Sequence, residues 1–129
     1  MTITTTDPNR MADTLDVTIL THTGGEKGRY YGGRTISIRR DLGPINRRCT
    51  IAHELGHLAL GHNPAATGWC QLRQEREAET WAARLLITPD KYREAESAHG
   101  PHAGAIASEL EVTTHLVHVW REHHERKAA

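Results

Sequence analysis

Hydrophobic residues alternate with polar ones near the start of the chain in a pattern typical of β-strands. Residues 15–22, LDVTILTH, are rich in β-branched side chains and end before a Gly-Gly pair, which predicts a strand. Residues 28–40, GRYYGGRTISIRR, predict two short strands joined by a turn at a second Gly-Gly pair, with Ile36 and Ile38 on one face. The pattern predicts a small antiparallel sheet.

From about residue 46 the hydrophobic period becomes that of helices. Residues 46–61 predict a helix in which Ile51, Leu55 and Leu58 recur at helical spacing, and Gly61 supplies a stop. Further helices are predicted within residues 71–90, 90–97, 102–110 and from Thr113 onward. The fold class predicted is α+β, with the small sheet packed beside the helix at 46–61 and the other helices around it.

Chain length and local composition predict one domain. The 129 residues suffice for a single hydrophobic core and are too few for two comfortable ones. Residues 1–13 are rich in Thr, Asp and Asn, which predicts a flexible N-terminal arm, and residues 123–129 are interpreted as a solvated C-terminal tail. The folded domain is therefore predicted over residues 14–122.

Charge and hydropathy exclude several classes of partner. The 16 basic and 16 acidic residues cancel, so no strong field attracts the protein to nucleic acid or an anionic membrane. No apolar run has the length of a signal peptide or a membrane span, which predicts a soluble cytoplasmic protein with no membrane partner. Cys49 and Cys70 are 21 positions apart without companions and are predicted to be free thiols.

Residues 52–62, AHELGHLALGH, combine three histidines and one glutamate with apolar residues. His53 and His57 are four positions apart, so on a helix both imidazoles lie on one face and can reach one metal ion. Glu54 is rotated by about 100 degrees from His53, which suits a general base that takes a proton from water beside the metal. The alternative is that the histidines are ordinary core or surface groups, but a buried Glu54 would then cost several kcal/mol to desolvate.

A catalytic zinc site needs a third protein ligand. His62 follows His57 by five positions, which does not match the HExxHxxGxxH spacing, so His62 is predicted to cap the helix or to lie in solvent. On the next helix Glu75 and Glu79 share the apolar face, whereas Glu77 points to the flank. Two glutamates on that face suggest a metal ligand and a partner that orients a ligand, although acidic residues are also favoured in the first turn of any helix.

The segments RRCTIAHELGHLALGH and EREAETWAARLLITP resemble the ImmA/IrrE family of zinc metallopeptidases, whose hydrophobic HExxH helix is followed by E-x-x-A-(Asn/Asp)-x-Phe-Ala-x-x-Leu-Leu-x-Pro. The resemblance extends over about residues 14 to 120. It implies one zinc ion per chain, held by His53, His57 and Glu75, with Glu54 as general base. It also implies a zincin-like site and a protein substrate, since family members typically cleave or inactivate a helix-turn-helix repressor in bacteria, mobile elements and phages.

The sequence departs from that family pattern at three places. Glu79 stands where the family usually has Asn or Asp, so a longer carboxylate could compete for the metal. Trp81 replaces Phe, and Thr88 is inserted before Pro89. These departures bear on the environment of the site rather than on its HExxH motif.

Two further interpretations concern partners. In zinc peptidases an exposed sheet edge can bind an extended peptide, and the strand carrying Ile36 and Ile38 is the candidate, although it could equally be an ordinary edge strand protected by its arginines. Residues 105–120, AIASELEVTTHLVHVW, have the shape of a DNA-binding helix-turn-helix, but acidic Glu122 and Glu125 make nucleic-acid binding a secondary hypothesis. A catalytically silent metal-binding protein is the third possibility.

Overall fold

The computed structural model describes residues 5–128, with side chains through residue 125. Within this range the chain forms a three-stranded sheet and six helices, which confirms the α+β class. The elements are α1 (Pro8–Thr14), β1 (Thr18–His22), β2 (Gly28–Tyr30), β3 (Thr35–Arg39), α2 (Pro44–Ala59), α3 (Gly68–Leu86), α4 (Pro89–His99), α5 (Ala103–Leu110) and α6 (Thr114–Ala128).

The sheet is mixed, so the prediction of a purely antiparallel sheet was wrong. Strands β2 and β3 form the predicted antiparallel hairpin, but β1 lies parallel to β3, with Ile19 opposite Ile36. The strand order is β1-β3-β2, which makes β3 the central strand. Alternation along a strand reports which face is buried and does not report which neighbour it pairs with, so the strand order was not accessible from the pattern.

Strand β3 cannot bind a peptide by its edge, and the substrate-binding role predicted for Ile36 and Ile38 is therefore wrong. Both side chains are fully buried in the hydrophobic core. Between them Ser37 is also buried, and its hydroxyl lies 2.7 Å from Nδ1 of His22 on β1. Burial on both faces is what a strand flanked by two others and covered by helices requires. The edge beside the helices belongs to β2.

Residues 8–14 and 123–128 are more ordered than their composition predicts. Residues 8–14 form α1, which begins with Pro8 after an Asp7 side chain that accepts a hydrogen bond from the Asn9 backbone. Met11 and Ala12 of this helix are buried in the core, so the prediction of a flexible arm over residues 1–13 was wrong for its second half. Residues 1–4 lie outside the described residues.

The predicted C-terminal tail is also largely helical, because α6 continues to Ala128. The ring of His124 stacks on Trp120 with 4.6 Å between centroids, which extends the packed surface beyond residue 122. The predicted N-cap of this helix is confirmed, since the Thr113 hydroxyl accepts from the Leu116 backbone at 3.2 Å. Arg48 of α2 donates to carbonyl groups of α5 and of its turn, which fixes the C-terminal helices against α2.

Helices α2 and α3 pack directly against each other. Gly56 makes this possible: a Cβ atom at that position would lie 3.0 Å from the Ala78 carbonyl oxygen. A contact between a glycine and an alanine lets two helices approach more closely than helices that carry larger residues at the contact. No helix among the described residues is long and apolar enough to cross a membrane.

Candidate metal centre

Helix α2 presents His53 and His57 on one face, as the sequence predicts. Its side chains Ile51 and Leu55 are fully buried in the core, so the adjoining face of the helix turns toward α3. The two imidazole rings meet edge to face with 4.9 Å between centroids. The two residues are one helical turn apart, so a ring nitrogen from each can face a common point.

Glu75 of α3 completes the cluster. One carboxylate oxygen lies 2.9 Å from Nε2 of His53, and the other lies 2.9 Å from Nε2 of His57. One donor atom from each of the three side chains lies within 4.8 Å of the others. The close approach of α2 and α3 at Gly56 brings this glutamate to the two histidines.

The three donors suit a zinc ion. Zinc in catalytic sites takes imidazole nitrogens and carboxylate oxygens at about 2.0–2.2 Å, usually three from the protein with one position left for substrate or water. Donor atoms within 4.8 Å of one another need only small movements to reach such distances around one ion. The donor set is also compatible with other first-row metals, because imidazole and carboxylate ligands are shared by several of them.

Charges inside the cluster shift the pKa values of two of these groups. Hydrogen bonds to His53 and then His57 hold the pKa of the Glu75 carboxyl well below its usual range. Burial acts to lower the pKa of His53, but its hydrogen bond to Glu75 and the charge of Glu54 outweigh this effect, so the pKa of His53 is raised. Glu75 is therefore anionic at neutral pH, as a metal ligand must be.

Glu54 lies beside the cluster and outside it, buried with 7 % of its surface exposed. Burial raises the pKa of its carboxyl, while the nearby His53 and His57 oppose this effect. Strand β2 approaches closely here, because a Cβ atom at Gly28 would lie 2.6 Å from Oε2 of Glu54. A buried carboxyl with a raised pKa, next to a cleft, is typical of a group that exchanges protons at neutral pH.

Two clefts meet at Glu54, and strand β2 borders both. One has a volume of about 480 Å³ and includes His57 and Glu75, and the other has a volume of about 390 Å³ and includes His53. Glu26, Gly28 and Glu54 line both. The cluster therefore lies on the floor of a groove that continues on both sides of it.

Glu79 lines the same cleft as His53, and its carboxylate pairs with a histidine outside the cluster. Its carboxylate lies 3.1 Å from Nε2 of His115 on α6. The sequence predicted that Glu79 orients a metal ligand. This hydrogen bond is to His115 and not to a ligand, although the charge of Glu79 still acts to raise the pKa of His53.

His62 and Glu77 are the polar partners that the sequence did not predict. Nδ1 of His62 lies 2.9 Å from Nδ1 of His57, and Nε2 of His62 lies 2.9 Å from the Glu77 carboxylate. Of the two roles predicted for His62, a position in solvent is wrong because its side chain is only 7 % exposed. Its backbone N–H does help to end the helix, since it donates to the His57 carbonyl. The signal available in the sequence was Gly61. When a glycine ends a helix in the left-handed conformation, the backbone N–H of the next residue often bonds to the carbonyl five positions earlier.

Comparison with known protein families agrees with this geometry. Residues 12–119 match the Peptidase M78 family, described as the IrrE N-terminal-like domain. No curated protein matches the chain. The matched range contains the sheet, the two helices of the cluster and the first part of α6. Members of this family are metal-dependent peptidases, and the chain belongs to the IrrE N-terminal-like, Peptidase M78, family.

Proposed function

We propose that the protein is a zinc-dependent endopeptidase in which His53, His57 and Glu75 bind one zinc ion and Glu54 is the general base. The observation that supports this proposal best is the convergence of three donor atoms within 4.8 Å beside a buried carboxyl that the motif identifies independently. Membership of a peptidase family supports the same reaction class.

Zinc in such a site supplies a Lewis acid that polarises a carbonyl and lowers the pKa of water to about 7. Glu54 takes a proton from the attacking water as the water oxygen bonds to the peptide carbonyl carbon. The same carboxyl then delivers the proton to the leaving nitrogen as the carbon–nitrogen bond breaks. Its raised pKa suits both steps, because a carboxyl whose pKa is closer to neutral pH can both accept a proton and release it.

We infer that the substrate lies along β2 in an extended conformation. Strand β2 is at the edge of the sheet and borders both clefts, so a peptide can add to it by backbone hydrogen bonds. Clefts on both sides of Glu54 accommodate chain before and after the scissile bond. This arrangement favours cleavage within a chain over removal of a terminal residue.

The proposed substrate is a helix-turn-helix transcriptional repressor, as the family resemblance implies. Such a substrate would place the reaction in the cytoplasm and link the protein to regulation in phages or mobile elements. The substrate class rests on the resemblance and on the peptidase family, while the groove indicates only that it is an extended peptide.

DNA binding through residues 105–120 has less support. Helices α5 and α6 are joined by a short turn, with Glu111 in the left-handed conformation. However, the Arg121 guanidinium of α6 donates hydrogen bonds within the protein, to the Tyr92 hydroxyl and the Pro101 carbonyl. A gel-shift affinity of about 10⁻⁸ M or tighter at physiological salt would favour the DNA-binding function instead.

The decisive experiment compares the wild-type protein with Glu54→Gln. Both are loaded with zinc and incubated with repressors encoded beside the gene and with casein, and cleavage is followed by mass spectrometry. We expect Glu54→Gln to keep its zinc and lose hydrolysis by a factor of at least about 10², because the proton acceptor is removed while the ligands remain.

Removal of zinc by a chelator should abolish cleavage by the wild type, and added zinc should restore it. Activity of Glu54→Gln within a few-fold of the wild type would contradict the proposed mechanism. A wild type that binds zinc stoichiometrically and cleaves none of the probes would favour the catalytically silent alternative.

A further inference from the structure

His57 is the first member of a chain of hydrogen bonds that leads away from the proposed metal position. Its Nε2 faces Glu75, while its Nδ1 lies 2.9 Å from Nδ1 of His62. Nε2 of His62 in turn lies 2.9 Å from Oε1 of Glu77. We infer that His62 and Glu77 are positioning residues that hold His57 in the tautomer and ring orientation required for zinc binding, an inference that rests on the proposed zinc site.

The hydrogen positions follow from the direction of the chain. A neutral imidazole has one N–H group, and a nitrogen that binds a metal must carry no proton. When Nε2 of His57 binds zinc, the hydrogen of His57 is therefore on Nδ1 and donates to Nδ1 of His62. The hydrogen of His62 is then on Nε2 and donates to Glu77, so each donor in the chain has an acceptor.

Glu77 selects this arrangement over its reverse. In the reverse arrangement neutral His62 would donate from Nδ1 to His57, and its bare Nε2 would face a carboxylate oxygen at 2.9 Å. Two acceptors at that distance repel each other, whereas an N–H group donating to a carboxylate forms one of the stronger hydrogen bonds in proteins. Without a metal, the 2.9 Å contact between Glu75 and Nε2 of His57 calls for a hydrogen on that nitrogen. Zinc would take the place of this hydrogen, and the Glu77 carboxylate then favours the arrangement in which His57 and His62 both donate toward Glu77.

The backbone conformation at the end of α2 places His62 next to His57. Gly61 adopts a left-handed conformation with φ of 66°, its N–H donates to the Leu58 carbonyl, and the His62 N–H donates to the His57 carbonyl at 3.0 Å. This pair of bonds is a Schellman motif, which brings the residue after the glycine over the residue five positions earlier. The His57 and His62 side chains therefore meet because of how the helix ends.

Tyr30 of β2 holds the same two residues from the opposite side. Its hydroxyl donates to the His62 carbonyl at 2.9 Å, and its ring stacks on His57 with 5.7 Å between centroids and 13° between planes. The backbone at position 62 is thus fixed without the imidazole, by the helix end and by Tyr30. Ending the helix does not require a histidine there, and the buried imidazole needs a second explanation, which the hydrogen bond to a metal ligand provides.

The test is the zinc dissociation constant of the full-length protein, measured by competition with a chelator. His62→Phe keeps an aromatic ring but removes the acceptor, and His62→Asn keeps an oxygen near the position of Nδ1. Partners of this kind change metal affinity by roughly 10- to 100-fold. We expect His62→Phe to weaken zinc binding by about that factor, His62→Asn to recover most of the loss, and Glu77→Gln to weaken binding by a smaller factor.

His99→Phe is the matched control, because His99 also pairs with a glutamate, Glu109, at 3.2 Å. Its zinc affinity should equal that of the wild type. Nuclear magnetic resonance of the zinc-loaded proteins provides a second readout: the His57 ring N–H should exchange slowly with water in the wild type and rapidly in His62→Phe. If His62→Phe fails to fold, as thermal unfolding would reveal, Glu77→Gln decides, because half-exposed Glu77 tolerates this isosteric change.

Zinc affinity and ring N–H exchange that are unchanged in both His62→Phe and Glu77→Gln would overturn the inference while leaving the proposed function intact. Complete loss of zinc from His62→Phe, with normal zinc in Glu75→Ala, would instead make His62 a direct ligand and would also overturn it. A wild type that binds no zinc would refute the proposed function, and this inference with it.

Discussion

Glu75 joins the two helices of the cluster through a single carboxylate. Each of its oxygens contacts a different histidine at 2.9 Å, so the side chain is positioned by two groups from α2. The carboxylate is about half exposed, yet its charge is maintained because the pKa of Glu75 is lowered by those contacts. A group that is anionic and oriented before metal arrives requires little rearrangement on binding.

We predict that Glu75→Ala lowers zinc affinity by more than about 100-fold, because loss of a direct ligand should exceed the effect of losing an outer partner. The purified variant should contain little metal when it is measured by elemental analysis. Glu79→Ala is the control, since Glu79 contacts His115 and should change affinity far less. If Glu75→Ala retains partial metal, the double variant shows whether Glu79 substitutes. Stoichiometric zinc in all of these variants would refute the assignment of Glu75.

A second prediction concerns the contact between Gly28 and the general base. A Cβ atom at position 28 would lie 2.6 Å from Oε2 of Glu54 and 2.7 Å from Cγ2 of Thr50, so Gly28→Ala must displace the Glu54 carboxyl. We expect kcat to fall by about 10²-fold, the cost of a misplacement of about 1 Å, with zinc content unchanged. Gly43→Ala is the control, because a Cβ atom there has nothing within 4 Å. Equal kcat in both variants would show that Glu54 has room to move.

The packing of α2 on α3 sets the separation of the metal ligands. They approach closely at Gly56 and Ala78, three residues from His53 and three from Glu75 along their helices. Helix contacts of this kind are sensitive to single methyl groups, because protein interiors are close-packed. The geometry of the cluster is therefore a property of the helix pair and not of either helix alone.

We predict that Gly56→Ala lowers both zinc affinity and the free energy of unfolding, the latter by about 1 kcal/mol or more. The added Cβ would lie 3.0 Å from the carbonyl oxygen and 3.1 Å from the Cα of Ala78, so α3 must shift as a unit. Gly104→Ala is a matched change in α5, where the nearest atom, in the His102 ring, is 3.4 Å away. That control should be neutral or stabilising by up to about 1 kcal/mol. A stabilised Gly56→Ala with full zinc affinity would contradict the argument.

The sheet positions β2 and the groove, and its strand order is where prediction from the sequence failed. The hairpin of β2 and β3 was predicted correctly because a Gly-Gly turn between two alternating segments is a local signal. The insertion of β3 between β1 and β2 depends on contacts between distant segments. Such pairing follows from the burial of both faces of β3, which is apparent only once the helices that cover it are known.

For the molecule as a whole, the proposed metal centre crosslinks residues that are up to 22 positions apart in the sequence. His53 and His57 come from α2 and Glu75 comes from α3, and both helices contribute to the single hydrophobic core. A metal that binds all three side chains favours the folded state, because the unfolded chain does not present them together. Metal binding and stability are therefore linked.

We predict that zinc at about 100 times its dissociation constant stabilises the fold by about 2.7 kcal/mol, which corresponds to a rise in Tm of about 10 °C for a domain of this size. The measurement is thermal unfolding of the metal-free protein with and without zinc. Glu75→Ala should show a much smaller rise, and magnesium, which prefers oxygen ligands, should cause none in the wild type. An equal rise in the wild type and Glu75→Ala would mean that zinc binds elsewhere.

Local signals along the chain were sufficient to predict several parts of this protein. Helical spacing placed His53 and His57 on one face, and the same periodicity located α2 to α6. These features depend on residues within one or two helical turns of each other, and a periodic pattern records them directly. The proposed role of Glu54 also came from this local motif.

Three-dimensional packing established the rest. Composition suggested that residues 8–13 are flexible, yet Met11 and Ala12 are buried because other elements cover them. The edge strand is β2 and not β3, and Glu79 pairs with His115. Both arrangements depend on neighbours distant in sequence. His62 is intermediate: its contact with His57 follows from the local Schellman motif, whereas its contact with Glu77 requires α3. Periodicity describes one element at a time, and only packing sets which elements become neighbours.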